Sequence, residues 1–294
     1  MNKERTNKAR QARGGAVLAA MATVAIAGGV QAAVAAPADA AVQGLTRVTY
    51  PMGQLDSLSS KERTPECPRG MRVIGGGGRV AGPAAQAIRL RILRPIGEDS
   101  GSDRFQVVAE EPPGGVAGKW GLEGYAVCAP ESELDGYEIV STASQRSSTS
   151  HKEVAAACPS GKRVIGAGAS VFGGTYGVSA GLQVARASGP LDIARAAAAL
   201  ESTASSADWQ VVSHAVCAKP VGAAAEGEVV HDRRDTIKEC SSAKKVHSVG
   251  GATGDGPNGP VFLSDLYPSA DLRATVLRLT GIPTDGLAVQ AICA

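Results

Sequence analysis

The sequence predicts an all-β protein built from three homologous units, each with four to five strands and one disulfide. Three observations support this prediction: an internal repeat, a matching cysteine pattern, and apolar residues that alternate with a period of two. A single repeat seldom covers its own apolar face, so repeated units usually stack against one another. We therefore expect a pseudo-threefold, β-prism-like assembly. Three separate beads on a string are the alternative.

The repeat begins at a cysteine-led stretch that occurs three times. CPRGMRVIGGGGRV at 67–80 matches CPSGKRVIGAGASV at 158–171 at nine of 14 positions, and CSSAKKVHSVGGATG at 240–254 is a diverged third copy. Each copy is followed by the ending AVCA or AICA, at 126–129, 215–218 and 291–294. These landmarks define a first unit (41–130), a second unit (131–220) and a third unit (221–294).

The cysteines follow the same repeat. Each unit has one opening and one closing cysteine, and six cysteines allow 15 connectivities. Pairing between units remains an alternative to the simplest scheme, which pairs the cysteines within each unit. That scheme joins Cys67 to Cys128, Cys158 to Cys217, and Cys240 to Cys293. An even number of cysteines behind an export signal indicates disulfides and an oxidising compartment.

The first 40 residues have the pattern of a secretory signal peptide. Basic residues precede an apolar, alanine-rich run at 16–27, and the small-residue patterns AVA and ADA follow at 33–35 and 38–40. We expect cleavage near Ala36 or Ala40, and secretion of the remaining chain. Glycine and alanine dilute the apolar run, so the pattern does not favour a membrane anchor, and no stable span is expected in the mature chain.

The charge of the mature chain argues against nucleic-acid binding. The whole chain has 30 basic and 28 acidic residues, and residues 1–40 hold five basic and two acidic ones. Removing them leaves 25 basic against 26 acidic residues, a net charge of about −1. Proteins that bind nucleic acids usually carry a marked basic excess, so no such partner is expected.

Alternating apolar residues predict strands within each unit. In the first unit Ile88, Leu90 and Ile92 alternate with other residues up to Pro95. We expect an initial strand, the strand after the opening cysteine, a pair around a proline, and a closing strand. The initial strands are predicted at 47–50, 137–142 and 228–231. Residues 191–202 have a helix-forming composition, but the matching stretches of the other units read as strands, so both interpretations stay open there.

The glycine-rich stretches do not predict a nucleotide site. Gly161-Lys162 is followed by Arg163 instead of the Ser or Thr of a phosphate loop, and the helix expected after such a loop is missing. Gly76, Gly78 and Ala81 fit GxGxxG/A equally weakly. We expect Gly166 and Gly168 to let their strand bulge or approach another backbone closely.

Catalytic and metal motifs are equally weak. GVSAG at 177–181 spells a nucleophile elbow around Ser179, and Asp192 and His214 follow it in order, but the required α/β context is absent. The histidines at 151, 214, 231 and 247 lack metal-ligand spacing, and the loop at 251–260 holds the single carboxylate Asp255. We expect the remaining acidic candidates to lie in solvated loops. They are Glu110, Glu111, Glu131, Glu133 and Asp135.

The aromatic residues favour a core over a carbohydrate-stacking platform. Trp120 and Trp209 each lie eight residues before a closing cysteine, which indicates equivalent buried positions. The other aromatic candidates are scattered: Tyr137, Tyr176, Tyr267 and Phe172. The sequence therefore predicts no catalytic, cofactor-binding or metal-binding residues, and no cofactor. The six cysteines are the only residues for which it predicts a specific role, as partners in disulfides.

The combination of CPxGxRVIGxG with a closing AxCA, repeated behind a signal peptide, resembles uncharacterised secreted proteins of high-GC Gram-positive bacteria. The resemblance spans most of residues 45–294 and is weakest in the third unit. It implies secretion and disulfides, and no particular activity or ligand. The predicted function is a secreted, non-catalytic structural or binding protein associated with the cell envelope or a glycan. The alternative is a secreted hydrolase or a protease-inhibitor-like module that binds another secreted protein.

Overall fold

The described part of the chain is almost entirely β-structure. The computed structural model describes residues 42–97, 102–173, 180–187, 191–200, 207–219, 237–241, 243–256, 259–281 and 287–293. The first unit contains β1 (Thr46–Tyr50), β2 (Ser60–Arg63), β3 (Met71–Ala81), β4 (Arg89–Ile96), β5 (Arg104–Glu110) and β6 (Gly121–Pro130). The second contains β7 (Glu138–Ala143), β8 (His151–Ala157), β9 (Arg163–Gly173), β10 (Ala180–Ala187), β11 (Ile193–Leu200) and β12 (Trp209–Ala218). The third contains β13 (Ile237–Glu239), β14 (Val246–Thr253), β15 (Asp255–Gly256), β16 (Gly259–Pro260), β17 (Leu263–Pro268), β18 (Ala274–Leu279) and β19 (Leu287–Cys293).

Two single 3₁₀ turns, Ala85–Ala87 and Glu131–Glu133, are the helical elements of these ranges. No helix among the described residues has the length and apolar character needed to span a membrane. The all-β fold class predicted from the sequence is therefore confirmed.

Each of the three large antiparallel sheets takes strands from two units. Sheet I has the order β1-β6-β3-β17-β18-β13, sheet II the order β2-β5-β4-β9-β12-β7, and sheet III the order β19-β14-β10-β11-β8. The first unit contributes to sheets I and II, the second to II and III, and the third to III and I. This cyclic exchange of strands is inconsistent with three separate beads. The short pair β15–β16 stands outside these sheets.

The three sheets meet where the strands after the opening cysteines approach one another. A Cβ on Gly166 of β9 would lie 1.7 Å from the Ile74 carbonyl oxygen of β3, and one on Gly75 would lie 2.3 Å from the His247 carbonyl oxygen of β14. The backbone N–H of Ala167 donates to Ser248 Oγ at 3.2 Å. Close approach of backbones therefore explains the glycine at 166, as the sequence predicted.

A β-bulge lies at this meeting point in each unit. The bulged residues are Ile74, Ile165 and His247, each seven positions after its opening cysteine. His247 is only 2% exposed, and its burial lowers the pKa of the imidazole to about 4. The third unit thus places a buried neutral imidazole where the other two have isoleucine.

We expect His247→Ile to make the protein less sensitive to acid. The pKa of His247 is about 4 in the folded state and about 6.5 in the unfolded state. The unfolded chain therefore binds the proton more tightly, and stability is lost as the pH falls from 6.5 towards 4. This linkage costs about 2 kcal/mol between pH 7 and pH 5. Urea denaturation at both pH values should show a loss smaller by that amount in His247→Ile. His151→Gln, at an exposed position on β8, should leave the loss unchanged, and an equal loss in all three proteins would contradict the argument.

The core is continuous across the sheets. Its main cluster includes Phe105 and Leu93 of sheet II, Leu266 of sheet I and Leu182 of sheet III. Trp120 and Trp209 are fully buried in it, as their matching positions predict. They are the largest fully buried side chains among the described residues, in a chain with only 3% aromatic residues.

The three disulfides join the opening and closing cysteines of each unit. They are Cys67–Cys128, Cys158–Cys217 and Cys240–Cys293, with Cα atoms 5.6–5.8 Å apart. All six cysteines are therefore paired, in the within-unit scheme predicted from their spacing. Three disulfides indicate an oxidising environment.

Within the segment 191–202, Ile193–Leu200 form the strand β11, and residues 201–202 lie outside the described ranges. Its alanines pair with both β10 and β8, and this pairing overrides their helix propensity. The predicted initial strands at 47–50 and 137–142 correspond to β1 and β7, whereas 228–231 lies outside the described residues.

The prediction of four to five strands per unit was too low for the first two units. The first two units contain six strands each, because β2 and β8 precede the opening cysteines. β2 has the sequence SKER, in which polar residues conceal the alternation. Lys61 of β2 and Lys152 of β8 are each only 7% exposed, and their ammonium groups lie over Trp120 and Trp209 at 4.6 and 5.1 Å from the ring centroids.

Candidate functional site

A groove of about 550 Å³ crosses one face of sheet II, between β4 and β7. Its volume lies within the range that holds small ligands in proteins. Apolar and polar side chains from β3, β4, β7 and β12 line it. The lining residues are Arg72, Arg94, Pro95, Ile96, Gly97, Tyr137, Glu138, Ile139, Ser141 and His214.

A bulge in β4 turns Arg94 away from the core. The pairing of β4 with β5 shifts between Leu90 and Ile92, which makes Arg91 the extra residue. A shift of one residue moves every later side chain to the opposite face. Leu93 therefore enters the core in place of the predicted Ile92, and Arg94 faces the groove. Uninterrupted alternation from Ile88 would have put Arg94 inside.

Gly168 of β9 lets the end of the neighbouring strand β4 pass close to the backbone of β9. A Cβ at this position would lie 2.5 Å from the Leu93 carbonyl oxygen and 2.9 Å from Pro95 Cδ. The close backbone approach expected from the sequence thus occurs at Gly168 as well as at Gly166. It holds Arg94 to Gly97 as one wall of the groove.

The Arg94 side chain is held in place by two neighbours. Its Nε donates to Gln106 Oε1 at 2.6 Å, and Gln106 Nε2 donates to Glu62 Oε1 at 2.6 Å. The guanidinium carbon lies 5.3 Å from the centroid of the Phe172 ring. Burial lowers the pKa of Arg94, although the charge of Glu62 partly opposes that effect. The guanidinium is therefore fixed and incompletely solvated.

The other charged residues of the groove have partners within the protein. Arg72 pairs with Glu131 at 2.7 Å and with the buried Asp103 at 3.4 Å. Glu138 pairs with Lys162 at 2.5 Å. These pairs compensate the charges along one side of the groove.

His214 lies between two serines on neighbouring strands. Its Nδ1 is 2.7 Å from Ser141 Oγ, and its Nε2 is 3.0 Å from Ser170 Oγ. Burial, and then the positive charge of Arg94, lower the pKa of His214 to about 4. The imidazole is therefore neutral near pH 7, with one ring nitrogen donating a hydrogen bond and the other accepting one.

This arrangement is poorly suited to activating Ser141 as a nucleophile. A general base works best when its pKa lies near the working pH, and His214 is far below it. Proton transfer would create an imidazolium beside Arg94, and both ring nitrogens contact hydroxyls instead of a carboxylate. Hydrogen bonding to a ligand is the chemistry that the pair offers.

Tyr137 closes one end of the groove. Its hydroxyl lies 2.9 Å from the Val73 carbonyl oxygen and 3.0 Å from Asp103 Oδ2. Burial, followed by the nearby Asp103 carboxylate, raises the pKa of Tyr137 well above its usual value. The ring therefore serves as a rigid neutral wall.

The other sheets match the groove residues only in part. Arg186 of β10 corresponds to Arg94, since Ala185 pairs with Gly251 as Leu93 pairs with Ala169. Arg94 and Tyr267 both lie 27 residues after an opening cysteine, and His214 and Tyr125 both lie three residues before a closing one. In sheet I the rings of Tyr125 and Tyr267 stack with centroids 5.4 Å apart. In sheet III, Gln290 takes the place of His214 and bonds to both backbone polar groups of Ala187. Matching positions of the three sheets thus differ in chemistry.

The catalytic trio suggested by the sequence does not form around His214. Asp192 precedes β11 in sheet III, and its carbonyl oxygen accepts from the Cys158 N–H at 2.9 Å. The nitrogens of His214 contact Ser141 and Ser170. Ser179 lies outside the described residues, as do His231 and Tyr176.

Four of the five acidic candidates make structural contacts, and the described ranges contain no cluster suited to a metal. Glu110 pairs with Arg91 at 2.6 Å, Glu111 accepts from Trp120 Nε1 at 2.9 Å, and Asp135 pairs with Lys219 at 2.9 Å.

Sequence reasoning identified His214 for a different reason and missed Arg94, Ser141 and Ser170. These residues come from four strands without a shared local motif. Comparison of matching positions, arginine against tyrosine at 94 and 267, was the one available signal. No protein-family model matches the chain, and no curated protein matches it.

Proposed function

We propose that this chain is a secreted, non-catalytic binding protein whose ligand is an extracellular polymer such as a cell-envelope glycan. The observation that carries the proposal is the groove on sheet II, which is large enough for one or two sugar residues. Its walls combine apolar surface from Pro95, Ile96 and Ile139 with hydrogen-bonding groups. Such a mixture suits a sugar, which presents C–H faces and hydroxyls together.

Export is the second part of the proposal. The signal-like segment at 1–40, with cleavage near Ala36 or Ala40, agrees with the three disulfides, which require an oxidising compartment. The resemblance to secreted proteins of high-GC Gram-positive bacteria, and the three-unit repeat, point the same way.

The hydrolase alternative has less support. Its best candidate in the described part of the chain is the Ser141–His214 pair at 2.7 Å. The pKa of His214, about 4, makes it a weak base at neutral pH. The inhibitor alternative would need an exposed loop such as 172–181 or 251–260, and residues 174–179 and 257–258 of these lie outside the described ranges.

Co-sedimentation with insoluble polymers tests the proposal. We expect the secreted, disulfide-bonded protein to pellet saturably with cell-wall material, chitin or cellulose, and free sugars to compete. Ser141→Trp should weaken pelleting by about tenfold, because the indole fills the groove at an exposed edge-strand position.

Thr49→Trp is the matched control. Thr49 pairs with Tyr125 on β1 as Ser141 pairs with His214 on β7, so the same bulk is added at the equivalent edge of sheet I. Pelleting should be unchanged in this variant. Failure of the wild type to pellet with any of the polymers would refute polymer binding.

A further inference from the structure

Arg94 makes no direct ion pair among the described residues, and Glu62 acts on it only from behind Gln106. Within the described part of the chain, no carboxylate lies within 4 Å of its guanidinium, and its terminal nitrogens have no hydrogen-bond acceptor. The Nε hydrogen bond to Gln106 and the Phe172 ring fix the group without neutralising it. A half-buried, fixed guanidinium with free terminal N–H groups is a preorganised anion receptor.

The surroundings of Arg94 favour an anion over a cation. Glu138, the acidic residue lining the groove, is held by Lys162, and Arg72 is held by Asp103 and Glu131. Ser141 is an exposed residue whose hydroxyl contacts His214 Nδ1, and the neutral His214 adds no second positive charge. The groove thus offers one positive charge that is outside any direct ion pair, with neutral polar groups beside it.

We infer that the groove binds the carboxylate group of an acidic sugar, with Arg94 as its principal anchor. This inference rests on the proposed function and specifies the ligand class of the same site. A guanidinium presents two parallel N–H groups that match the two oxygens of a carboxylate. The single charge of a carboxylate balances the single charge of Arg94. The sugar ring packs against Pro95, Ile96 and Ile139, which line the groove beside it.

The other two sheets do not offer the same combination of groups. In sheet I the stacked rings of Tyr125 and Tyr267 occupy the matching space. In sheet III the Gln290 amide is engaged by the backbone of Ala187. Arg186 of β10 is the counterpart of Arg94 in sheet III, since Ala185 pairs with Gly251 as Leu93 pairs with Ala169. We assign the site to Arg94 because its side chain lines the described groove together with Ser141 and His214.

The test is a titration of the ¹⁵N-labelled, disulfide-bonded protein followed by NMR. The probes are D-glucuronate, glucose, glucose 6-phosphate and inorganic phosphate. We expect saturable shifts of groove amides with glucuronate, at a Kd of about 1–10 mM, and no saturable shifts with glucose.

Variants of Arg94 identify the anchor. Arg94→Gln should weaken glucuronate binding by about tenfold or more, because it removes charge-assisted hydrogen bonds. Arg94→Lys keeps the charge but loses the paired N–H groups, so its affinity should fall between the two. Arg195→Gln removes one positive charge from a partly exposed site on β11 and should bind as the wild type does. The amide spectra report whether each variant is folded.

Three outcomes would overturn the inference. They are saturable binding of phosphate or glucose 6-phosphate without binding of glucuronate, equal glucuronate affinity in wild type and Arg94→Gln, and no saturable shift with any probe. The co-sedimentation experiment with insoluble polymers tests polymer binding independently of these three outcomes. Pelleting that persists in Arg94→Gln would refute the carboxylate site and leave polymer binding intact, and glucuronate binding without pelleting would do the reverse.

Discussion

Replacing both Cys158 and Cys217 by alanine is expected to lower the free energy of unfolding by about 4 kcal/mol. The disulfide closes a loop with a sequence separation of 59 residues. In the chain-entropy model a crosslink of this span stabilises the fold by restricting the unfolded chain. Urea denaturation without reductant measures the loss. The m-value should rise, because an unfolded chain with fewer crosslinks exposes more surface.

The other two disulfides provide the matched controls. Their sequence separations are 61 and 53 residues, so the same model predicts costs within about 0.2 kcal/mol of one another. A loss below about 1 kcal/mol for the Cys158–Cys217 pair would contradict the entropic account. Similar losses for all three pairs would support it.

Gly166→Ala is the second large effect, with an expected loss of about 3 kcal/mol or more. The new methyl group would lie 1.7 Å from the Ile74 carbonyl oxygen and 2.9 Å from its carbonyl carbon. Both atoms belong to the backbone of β3, so no side-chain rotation relieves the overlap. Sheets I and II would have to separate where sheet III also meets them, and the packing of all three would suffer.

Gly281→Ala is the control for this variant. Its Cβ would meet Val261 Cγ2 at 3.6 Å, an ordinary contact, and no backbone atom lies as close. Its stability should change by no more than about 0.5 kcal/mol in urea denaturation. A Gly166→Ala protein as stable as Gly281→Ala would show that the three strands do not need this close approach.

Local sequence features predicted much of the architecture. Alternation located β1, β7 and the closing strands, and the repeat favoured the within-unit cysteine pairs that the structure contains. The comparison of units also favoured a strand at 191–202 against the helix propensity of its alanines. These predictions succeed because each depends on residues close in sequence or on matching positions of the repeat.

The pairing partners of the strands and the positions of the β-bulges could not be predicted in the same way. A period of two indicates a strand but does not indicate which strand pairs with it. The pairing of strands from different units in one sheet could therefore not be predicted. The bulge at Arg91 reverses the faces of β4 after Leu90, and this places Arg94 in the groove. A shift of one residue, which the apolar pattern does not reveal, thus separates a core position from a position that lines the groove.

The cyclic exchange of strands has a consequence for the order of folding. Sheet I begins with β1, among the first folded residues to be synthesised, and is completed by β17 and β18 of the last unit. Each disulfide joins cysteines of one unit and becomes possible as soon as that unit has been made. The disulfides can therefore form before the sheets are complete. The N-terminal strands of sheet I gain their neighbours only after the last unit has been synthesised. We expect slow closure, since contacts so distant in sequence carry a large entropic barrier.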